Sequence, residues 1–266
     1  MHEFTRGGHG AEYVKTDLHV HTPGSHDYRD NVPPEDLVEA FEAEGLELVA
    51  LTDHDCPGWY EEVVDAAEDT DLEILPGVEI TTHYGSERRI HVTAVFPPNR
   101  ADDVNHVLSQ IDINPADAEG QHSDEDIEDI YRTVREYDGL PILAHIDERA
   151  GAHHEIERSN PIKDDLFDED LVAALEIVND ETRGEFDGFP FIRSSDAHGL
   201  DDIGERYTFM KMTEPSFEGL RTALADPESR ISLENTLHEH PSIDGVFCDG
   251  EFLQNRGACL DASKSG

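Results

Sequence analysis

The chain has 266 residues, with 62 Asp and Glu against 19 Lys and Arg, and a formal net charge of −43 at pH 7. Such an acidic excess argues against a broad basic surface for nucleic acid, and three cysteines are too few for a disulfide framework. The acidic residues are spread along the whole chain, which is typical of a cytoplasmic protein adapted to concentrated salt. We therefore expect a cytoplasmic, halophilic protein with no secretory leader and no membrane segment.

Short apolar runs alternate with amphipathic acidic segments along the chain. The predicted strands are "YVKTDLHV", "LELVALTDH", "LEILPGVEITT", "RRIHVTAVF", "LPILAHI", "LVAALEIVN", "FPFIRSSDAHG" and "ERYTFMKM". The predicted helices are "PPEDLVEAFEAEG", "WYEEVVDAAED", residues 102–110, residues 124–137 and "SFEGLRTALAD". This alternation predicts a mostly parallel sheet of about seven or eight strands covered by helices, and that number favours a closed barrel.

The ends of the chain differ in character from its middle. We predict an N-terminal tail over residues 1–12, one domain over residues 13–237 and a C-terminal tail over residues 238–266. From His238 onward the acidic residues thin out and no clear periodicity remains, which favours a tail over a terminal hairpin. The polar stretch 147–170 fits neither a strand nor a helix pattern.

Histidines and carboxylates recur where the predicted strands end, and that end carries the active site in a parallel barrel. These residues are His19, His21, Asp53, His54, Asp55, Glu79, His91, His145, Asp196 and His198. Because alternate residues of a strand share a face, His19 and His21 can reach one ion. A lone histidine on an apolar strand is usually a hydrogen-bonded core residue, but the ordered set favours a metal site.

Imidazole and carboxylate ligands together suit Zn²⁺, Mn²⁺ or Fe²⁺. The number of candidate ligands exceeds what one tetrahedral ion needs, so we expect two or three divalent ions. Glu79 is the natural bridging ligand, because one negative group between two cations relieves their repulsion. Cys56 follows the second motif without an activating partner, and we interpret it as a spectator.

The motifs "DLHVHT", "LTDHD", "PGVEI", "IHV", "LAHI" and "SSDAHG" occur in this order. This series resembles the signature motifs of the PHP (polymerase and histidinol phosphatase) family of metal-dependent phosphoesterases, over roughly residues 14 to 225. The resemblance implies an α/β fold, a distorted (β/α)7 TIM-like barrel, holding a trinuclear metal cluster. The metal ligands that it implies are His19, His21, His54, Glu79, His91, His145, Asp196 and His198. Many family members also have a ligand where this chain has His26 and Asp27, so we include both. The segment "SHDY" lacks the "SDG" of the nucleotide-phosphatase members.

The implied activity is the hydrolysis of a phosphate ester by attack of a metal-bridging hydroxide. The leaving alkoxide needs a proton donor, for which Asp55 and His145 are the candidates. Arg149 could hold a substrate phosphate or form a surface ion pair. The expected substrate is a small phosphorylated metabolite or a nucleotide, with nucleic-acid ends as a further possibility. The high negative charge slows the approach of polyanions and favours a small substrate.

Two alternative functions remain open at the level of the sequence. An amidohydrolase-type metal hydrolase also begins with HxH on a barrel strand, but it usually needs a carbamate-forming lysine where this chain has Glu79. A non-catalytic metal-binding PHP domain is the other alternative. Degenerate domains of that kind usually lose ligands, whereas this chain keeps the whole series.

Overall fold

A computed structural model describes residues 10–84, 88–116, 121–148, 151–152, 163–233, 245–248 and 251–254. The chain divides into two compact units, residues 1–233 and residues 234–266. No helix in these described ranges is both long enough and apolar enough to cross a lipid bilayer.

The described part of the first unit alternates short strands with short helices. Its strands are β1 (Glu12–Val20), β2 (Leu48–Leu51), β3 (Glu73–Tyr84), β4 (Arg88–Val95), β5 (Leu140–Leu143), β6 (Ala174–Glu176), β7 (Phe191–Ile192), β8 (Thr208–Met212) and β9 (Ile231–Ser232). Its helices are α1 (Pro34–Ala43), α2 (Tyr60–Ala66), α3 (Val104–Gln110), α4 (Ile127–Glu136), α5 (Lys163–Leu166), α6 (Phe217–Ala225) and α7 (Pro227–Arg230). Turns of 3₁₀ helix cover Pro98–Asp103, Asp180–Glu185 and Leu200–Asp202.

These nine strands form one sheet in the order β7-β6-β5-β4-β3-β2-β1-β8-β9. Strand β1 is parallel to β2, β2 to β3, β5 to β6, and β6 to β7, whereas the other neighbours are antiparallel. The expectation of a mostly parallel sheet was therefore wrong. One reason lies between β3 and β4, where the chain from Tyr84 to Arg88 is too short for a crossover and makes a hairpin instead.

Strand β1 almost closes the sheet, because it contacts both β8 and the segment that follows β7 at the other end of the strand order. Its first half pairs with β8, from Glu12 opposite Met212 to Thr16 opposite Thr208. Its second half lies beside the segment that follows β7, where His21 N–H donates to Ala197 O at 3.0 Å. The sheet is thus a nearly closed barrel, which confirms the predicted distorted TIM-like fold, although its nine strands exceed the seven or eight expected.

The helices pack their apolar faces on the outside of this barrel. In α4 the residues Ile127, Ile130, Tyr131 and Val134 are buried, which is the spacing of one helical face. Helix α1 begins at a proline, and the chain leaves it through Gly45 with a φ of +67°. Both signals were visible in the sequence, and both place the helix boundary close to where we predicted it.

In the second unit the structure describes one hairpin of two antiparallel strands, β10 (Gly245–Cys248) and β11 (Glu251–Gln254). The predicted domain boundaries, residues 1–12, 13–237 and 238–266, remain predictions. Most of both predicted tails lies outside the described residues.

Candidate metal centre

The end of β1 carries the first two candidate ligands. His19 and His21 point to the same face, their Nε2 atoms lie 3.3 Å apart, and both side chains are fully buried. This placement follows from the strand geometry, since residues two apart share a face. A pair of imidazoles therefore faces the inside of the barrel mouth.

The pairing of β2 with β3 continues for one step beyond β2 and brings the second and third motifs together. Glu79 N–H donates to Asp53 O at 3.1 Å, and Asp55 N–H donates to Glu79 O at 2.9 Å. His54, between these two aspartates, is thereby set opposite Glu79 in a parallel bridge. Its Nδ1 lies 3.0 Å from Glu79 Oε2.

The Glu79 carboxylate lies at the centre of five imidazoles. Its Oε2 is 3.3 Å from His19 Nε2 and 3.3 Å from His21 Nε2, in addition to the contact with His54. Its Oε1 is 2.8 Å from His91 Nδ1 and 3.2 Å from His145 Nε2. Strand β4 supplies His91, and the turn after β5 supplies His145.

We call His19, His21 and Glu79 the floor of the centre, and Asp27, Asp196 and His198 its rim. The floor is buried, whereas Asp27 is 38% exposed, Asp196 is 30% exposed and His198 is 22% exposed. The two layers are in contact, since Asp196 Oδ1 lies 3.3 Å from His21 Nε2. Asp27 Oδ2 lies 3.1 Å from His198 Nε2.

Three groups of side chains have their ligand atoms within 4.8 Å of one another. They are His21, Asp27, His54 and His198; His19, His21, Glu79 and Asp196; and His54, Glu79 and His91. The groups share His21, His54 and Glu79, so neighbouring ions held by them would share ligands. His145 Nε2 adjoins the third group, 3.3 Å from His91 Nδ1.

The contacts at the floor fit cations better than they fit hydrogen bonds. Among the described residues, Glu79 Oε2 is buried without a hydrogen-bond partner, although three ring nitrogens surround it. The Nε2 atoms of His19 and His21 face each other, and two neutral imidazoles cannot both donate across one gap. Buried polar atoms are normally paired, and this mixed set of nitrogen and carboxylate oxygen donors is the kind that Zn²⁺, Mn²⁺ or Fe²⁺ takes.

The sequence profile of the PHP domain family matches residues 17–184, more than half of the chain. The chain belongs to the PHP domain family. A 5'-3' exoribonuclease of Haemophilus influenzae is 37% identical over 82 residues, a match that covers 30% of this chain and 28% of that enzyme.

Solved structures support the fold of this PHP domain. The lesion-specific endonuclease PfuEndoQ of Pyrococcus furiosus superposes with a TM-score of 0.67 at 20% identity, over 82% of this chain and 57% of that chain. An Endonuclease Q complex with a 27-mer duplex carrying an abasic lesion gives a TM-score of 0.65 at 20% identity, over 82% of this chain and 58% of that chain. This chain therefore spans little more than half of either structure.

The imidazoles and carboxylates of this PHP domain's centre shift one another's pKa values. Burial lowers the pKa of His19, but the carboxylates of Glu79, Glu176 and Asp196 outweigh burial and raise that pKa well above its usual value. Burial raises the pKa of Glu79, but the imidazoles of His91, His19 and His54 outweigh it and hold that pKa well below the usual range. Glu79 is therefore ionised, as a ligand must be, and protons compete with cations for the ring nitrogens.

A second layer of polar groups lies behind the ligands. His19 Nδ1 is 2.9 Å from Glu176 Oε2, and His21 Nδ1 is 3.2 Å from Ser25 Oγ. The strand-end pattern did not predict Glu176, although one signal was present: Glu176 is the single carboxylate inside the apolar run "LVAALEIVN". A charge in an otherwise apolar strand indicates a buried partner.

Two further carboxylates tie the loops of the centre together. Asp53 accepts the N–H of Thr22 at 2.8 Å and its hydroxyl at 2.7 Å, which fixes the chain just after the HxH motif. A Cβ at Gly58, where φ is +60°, would lie 1.6 Å from Asp53 Oδ2, so this position requires glycine. Asp147 accepts the N–H groups of Val178 and Asn179, at 2.8 and 2.7 Å, and so holds the turn that carries His145.

The remaining predicted site residues differ in position. His26 is exposed with its ring centroid 5.6 Å from that of His54, and it belongs to none of the three groups found among the described residues, whereas Asp27 does. Asp55 is buried, and its Oδ1 accepts the N–H of Thr81 at 2.8 Å. Burial raises the pKa of Asp55 to about 6, although the Thr81 hydrogen bonds oppose the shift. Arg149 lies outside the described residues.

Proposed function

We propose that this PHP domain is a metal-dependent phosphoesterase, and that its substrate is the phosphate ester of a nucleotide or of a nucleic-acid end. One observation carries the proposal: three ligand groups overlap, and two of them share the buried Glu79 carboxylate. Each group mixes imidazole with carboxylate, the ligand set of ions that act as Lewis acids in hydrolysis.

The activities of similar proteins support the choice of substrate. The curated relative is a 5'-3' exoribonuclease, and one similar structure is a DNA lesion endonuclease solved with a duplex substrate. Both act on phosphodiesters of nucleic acid. The net charge of −43 works against long polyanions in dilute buffer, so we expect short oligonucleotides or nucleotides to be hydrolysed best at low salt.

The exposure of the centre indicates how substrate approaches. The floor is closed to solvent, so a phosphate reaches the centre from the side of the rim. Bound divalent ions would supply charge stabilisation for the phosphoryl oxygens and a water of lowered pKa. The chain itself supplies the ligands, and the negative charge of Glu79 would offset the mutual repulsion of neighbouring cations.

Three predicted roles remain part of this proposal. Asp55 and His145 are the candidates for protonating the leaving alkoxide, and Arg149 is the candidate for holding a substrate phosphate. His145 contacts Glu79 directly, at 3.2 Å, so its replacement should also disturb the ligands. Asp55 belongs to none of the three ligand groups in the described residues, and Asp55→Asn therefore isolates proton transfer better.

The experiment begins with protein stripped by a chelator and reloaded with Mn²⁺ or Zn²⁺. The substrates are p-nitrophenyl phosphate, bis(p-nitrophenyl) phosphate, a nucleoside bisphosphate, and 5'-phosphorylated RNA and DNA oligomers. Turnover should require metal and should be lost in Glu79→Gln, while the matched variant Glu62→Gln on the exposed face of α2 keeps it. Fully loaded protein that cleaves no phosphate ester, or that cleaves amide or lactone substrates instead, would refute the proposal.

A further inference from the structure

We propose that Glu176 is a positioning residue that fixes the tautomer of His19, so that the ring offers its Nε2 lone pair to the floor of the centre. The inference deepens the proposed function, because it concerns how the same cations are held. It does not depend on the substrate, and its test below needs no turnover.

The backbone of Glu176 is fixed by neighbouring segments on both sides. It ends strand β6, where Glu176 lies opposite Ile192 of β7 in parallel register. On its other side Ile146 N–H donates to Glu176 O at 2.9 Å. Its carboxylate is 2% exposed and lies across the barrel mouth from β1.

The hydrogen bond to Glu176 decides where the proton of a neutral His19 resides. Glu176 Oε2 lies 2.9 Å from Nδ1, and an ionised carboxylate can only accept, so Nδ1 carries the hydrogen. With the proton on Nε2 instead, the Nδ1 lone pair would face a buried carboxylate, which is costly away from water. The carboxylate therefore selects one tautomer.

The opposite edge of the same ring faces other acceptors. His19 Nε2 lies 3.3 Å from Glu79 Oε2, 3.4 Å from Asp196 Oδ1 and 3.3 Å from His21 Nε2. A lone pair on Nε2 suits a cation at this position, whereas a proton there could satisfy only one of the three neighbours. The outer partners of ligating histidines generally act in this way, and losing one costs roughly 10- to 100-fold in metal affinity.

His21 offers an internal comparison with a weaker partner. Its Nδ1 lies 3.2 Å from Ser25 Oγ, which also accepts the N–H of His54 at 3.1 Å. A neutral hydroxyl with two donors to satisfy is a poorer acceptor than a carboxylate at 2.9 Å. Removing Ser25 should therefore loosen the centre less than removing Glu176.

The test measures Zn²⁺ affinity in competition with a chromophoric chelator, for wild type, Glu176→Ala, Glu176→Gln, Ser25→Ala and the exposed control Glu62→Gln. We expect Glu176→Ala to weaken the tightest step by about 10- to 100-fold, Ser25→Ala by about threefold, and the control not at all. Glu176→Gln keeps an acceptor for Nδ1–H and should fall between the wild type and the alanine variant.

A second readout separates positioning from a merely structural role. In Zn²⁺-loaded protein with ¹⁵N-labelled histidine, wild type and Glu176→Gln should show a protected Nδ1–H and a metal-type Nε2 for His19. Glu176→Ala should lose the protected Nδ1–H signal, while the amide spectrum of its metal-free form remains that of a folded protein.

An affinity within about twofold of wild type in both Glu176 variants would overturn the inference, as would an Nε2–H tautomer in the loaded wild type. If the alanine variant does not fold, the glutamine variant decides by the same two criteria. Failure of the proposed function would appear differently, as tight Zn²⁺ binding by the wild type, weakened in Glu176→Ala, without phosphoester hydrolysis.

Discussion

The floor and the rim of the metal centre are built in different ways. The floor residues lie on or next to strands β1 and β3, are buried, and two of them have hydrogen-bond partners behind them in Glu176 and Ser25. The rim residues lie on loops and are partly exposed, and Asp196 takes a φ of +55°.

The two layers also depend on different forces. Strand register fixes the floor, and register cannot slip without turning every ligand to the opposite face. The rim depends on hydrogen bonds made by its loops: Ser195 N–H donates to the side-chain Oδ1 of Asp17 on β1 at 3.1 Å, and Arg29 N–H donates to His198 O at 2.8 Å. The floor is therefore held by strand pairing, and the rim by hydrogen bonds of partly exposed loops.

Removing a floor ligand should have the largest effect. His21 belongs to two of the three ligand groups, so His21→Ala should lower the bound metal by up to two ions per chain and turnover by more than about 10³-fold. Elemental analysis of gel-filtered protein and initial rates measure the two effects. The exposed helix residue His106 gives the control His106→Ala, and equal metal content in these two variants would contradict the assignment of His21 as a metal ligand.

Removing a rim ligand should have a smaller and more local effect. Asp27 belongs to one group, so Asp27→Ala should affect one cation site. The affinity of that site should fall by about 10- to 100-fold, so that gel-filtered protein retains one ion fewer. Its neighbour provides the matched control, because His26→Ala should leave metal content and affinity unchanged. Titration calorimetry with Mn²⁺ measures both, and a loss in the His26 variant instead would move the ligand by one position.

A variant of Asp147 tests whether hydrogen bonds from outside the ligand set stabilise the turn that carries His145. Asp147→Ala leaves the N–H groups of Val178 and Asn179 without their acceptor, together with the hydroxyl of Thr182 at 2.9 Å. We expect the free energy of unfolding to fall by about 3 kcal/mol in urea titrations. The exposed Asp187→Ala should change it by less than about 0.5 kcal/mol, and similar losses in both would show that the turn needs no such support.

A change of salt concentration should give the smallest difference between the floor and the rim, measured as a loss of cation affinity. Raising the ionic strength from about 0.1 M to about 1 M shortens the screening length from about 10 Å to about 3 Å, which weakens exposed charge interactions more than buried ones. The weakest cation site, which we assign to the rim, should lose up to about tenfold in affinity, and the tightest site about twofold or less. Calorimetric titrations at the two salt concentrations measure this, and equal losses would contradict the assignment.

Much of this centre could be predicted from the sequence, because its ligands sit in short motifs on or next to strands. The HxH pair needs only the alternation of a strand, Glu79 lies within β3, and Asp196 follows β7; apolar runs reveal these strands. The choice between His26 and Asp27 could not be made, since it depends on how the loop after Pro23 folds. Neighbouring side chains in a loop do not alternate as they do in a strand.

Other features could not be predicted because they depend on contacts between distant parts of the chain. Glu176 acquires its partner only when β6 faces β1 across the barrel, 157 positions away from His19. The antiparallel pairing of β4 with β5 was not predicted, because apolar periodicity reports burial and not strand direction. The proposed role of Arg149 stays a prediction.

The hydrogen bond between Ser195 and Asp17 joins residues 178 positions apart. Asp17 leaves the ribosome long before Ser195, so a growing chain exposes His19 and His21 before Asp196 and His198 have been synthesised. Contacts of such long range make folding slow. The complete ligand set of the three groups can thus form only after its last member, His198, has been synthesised.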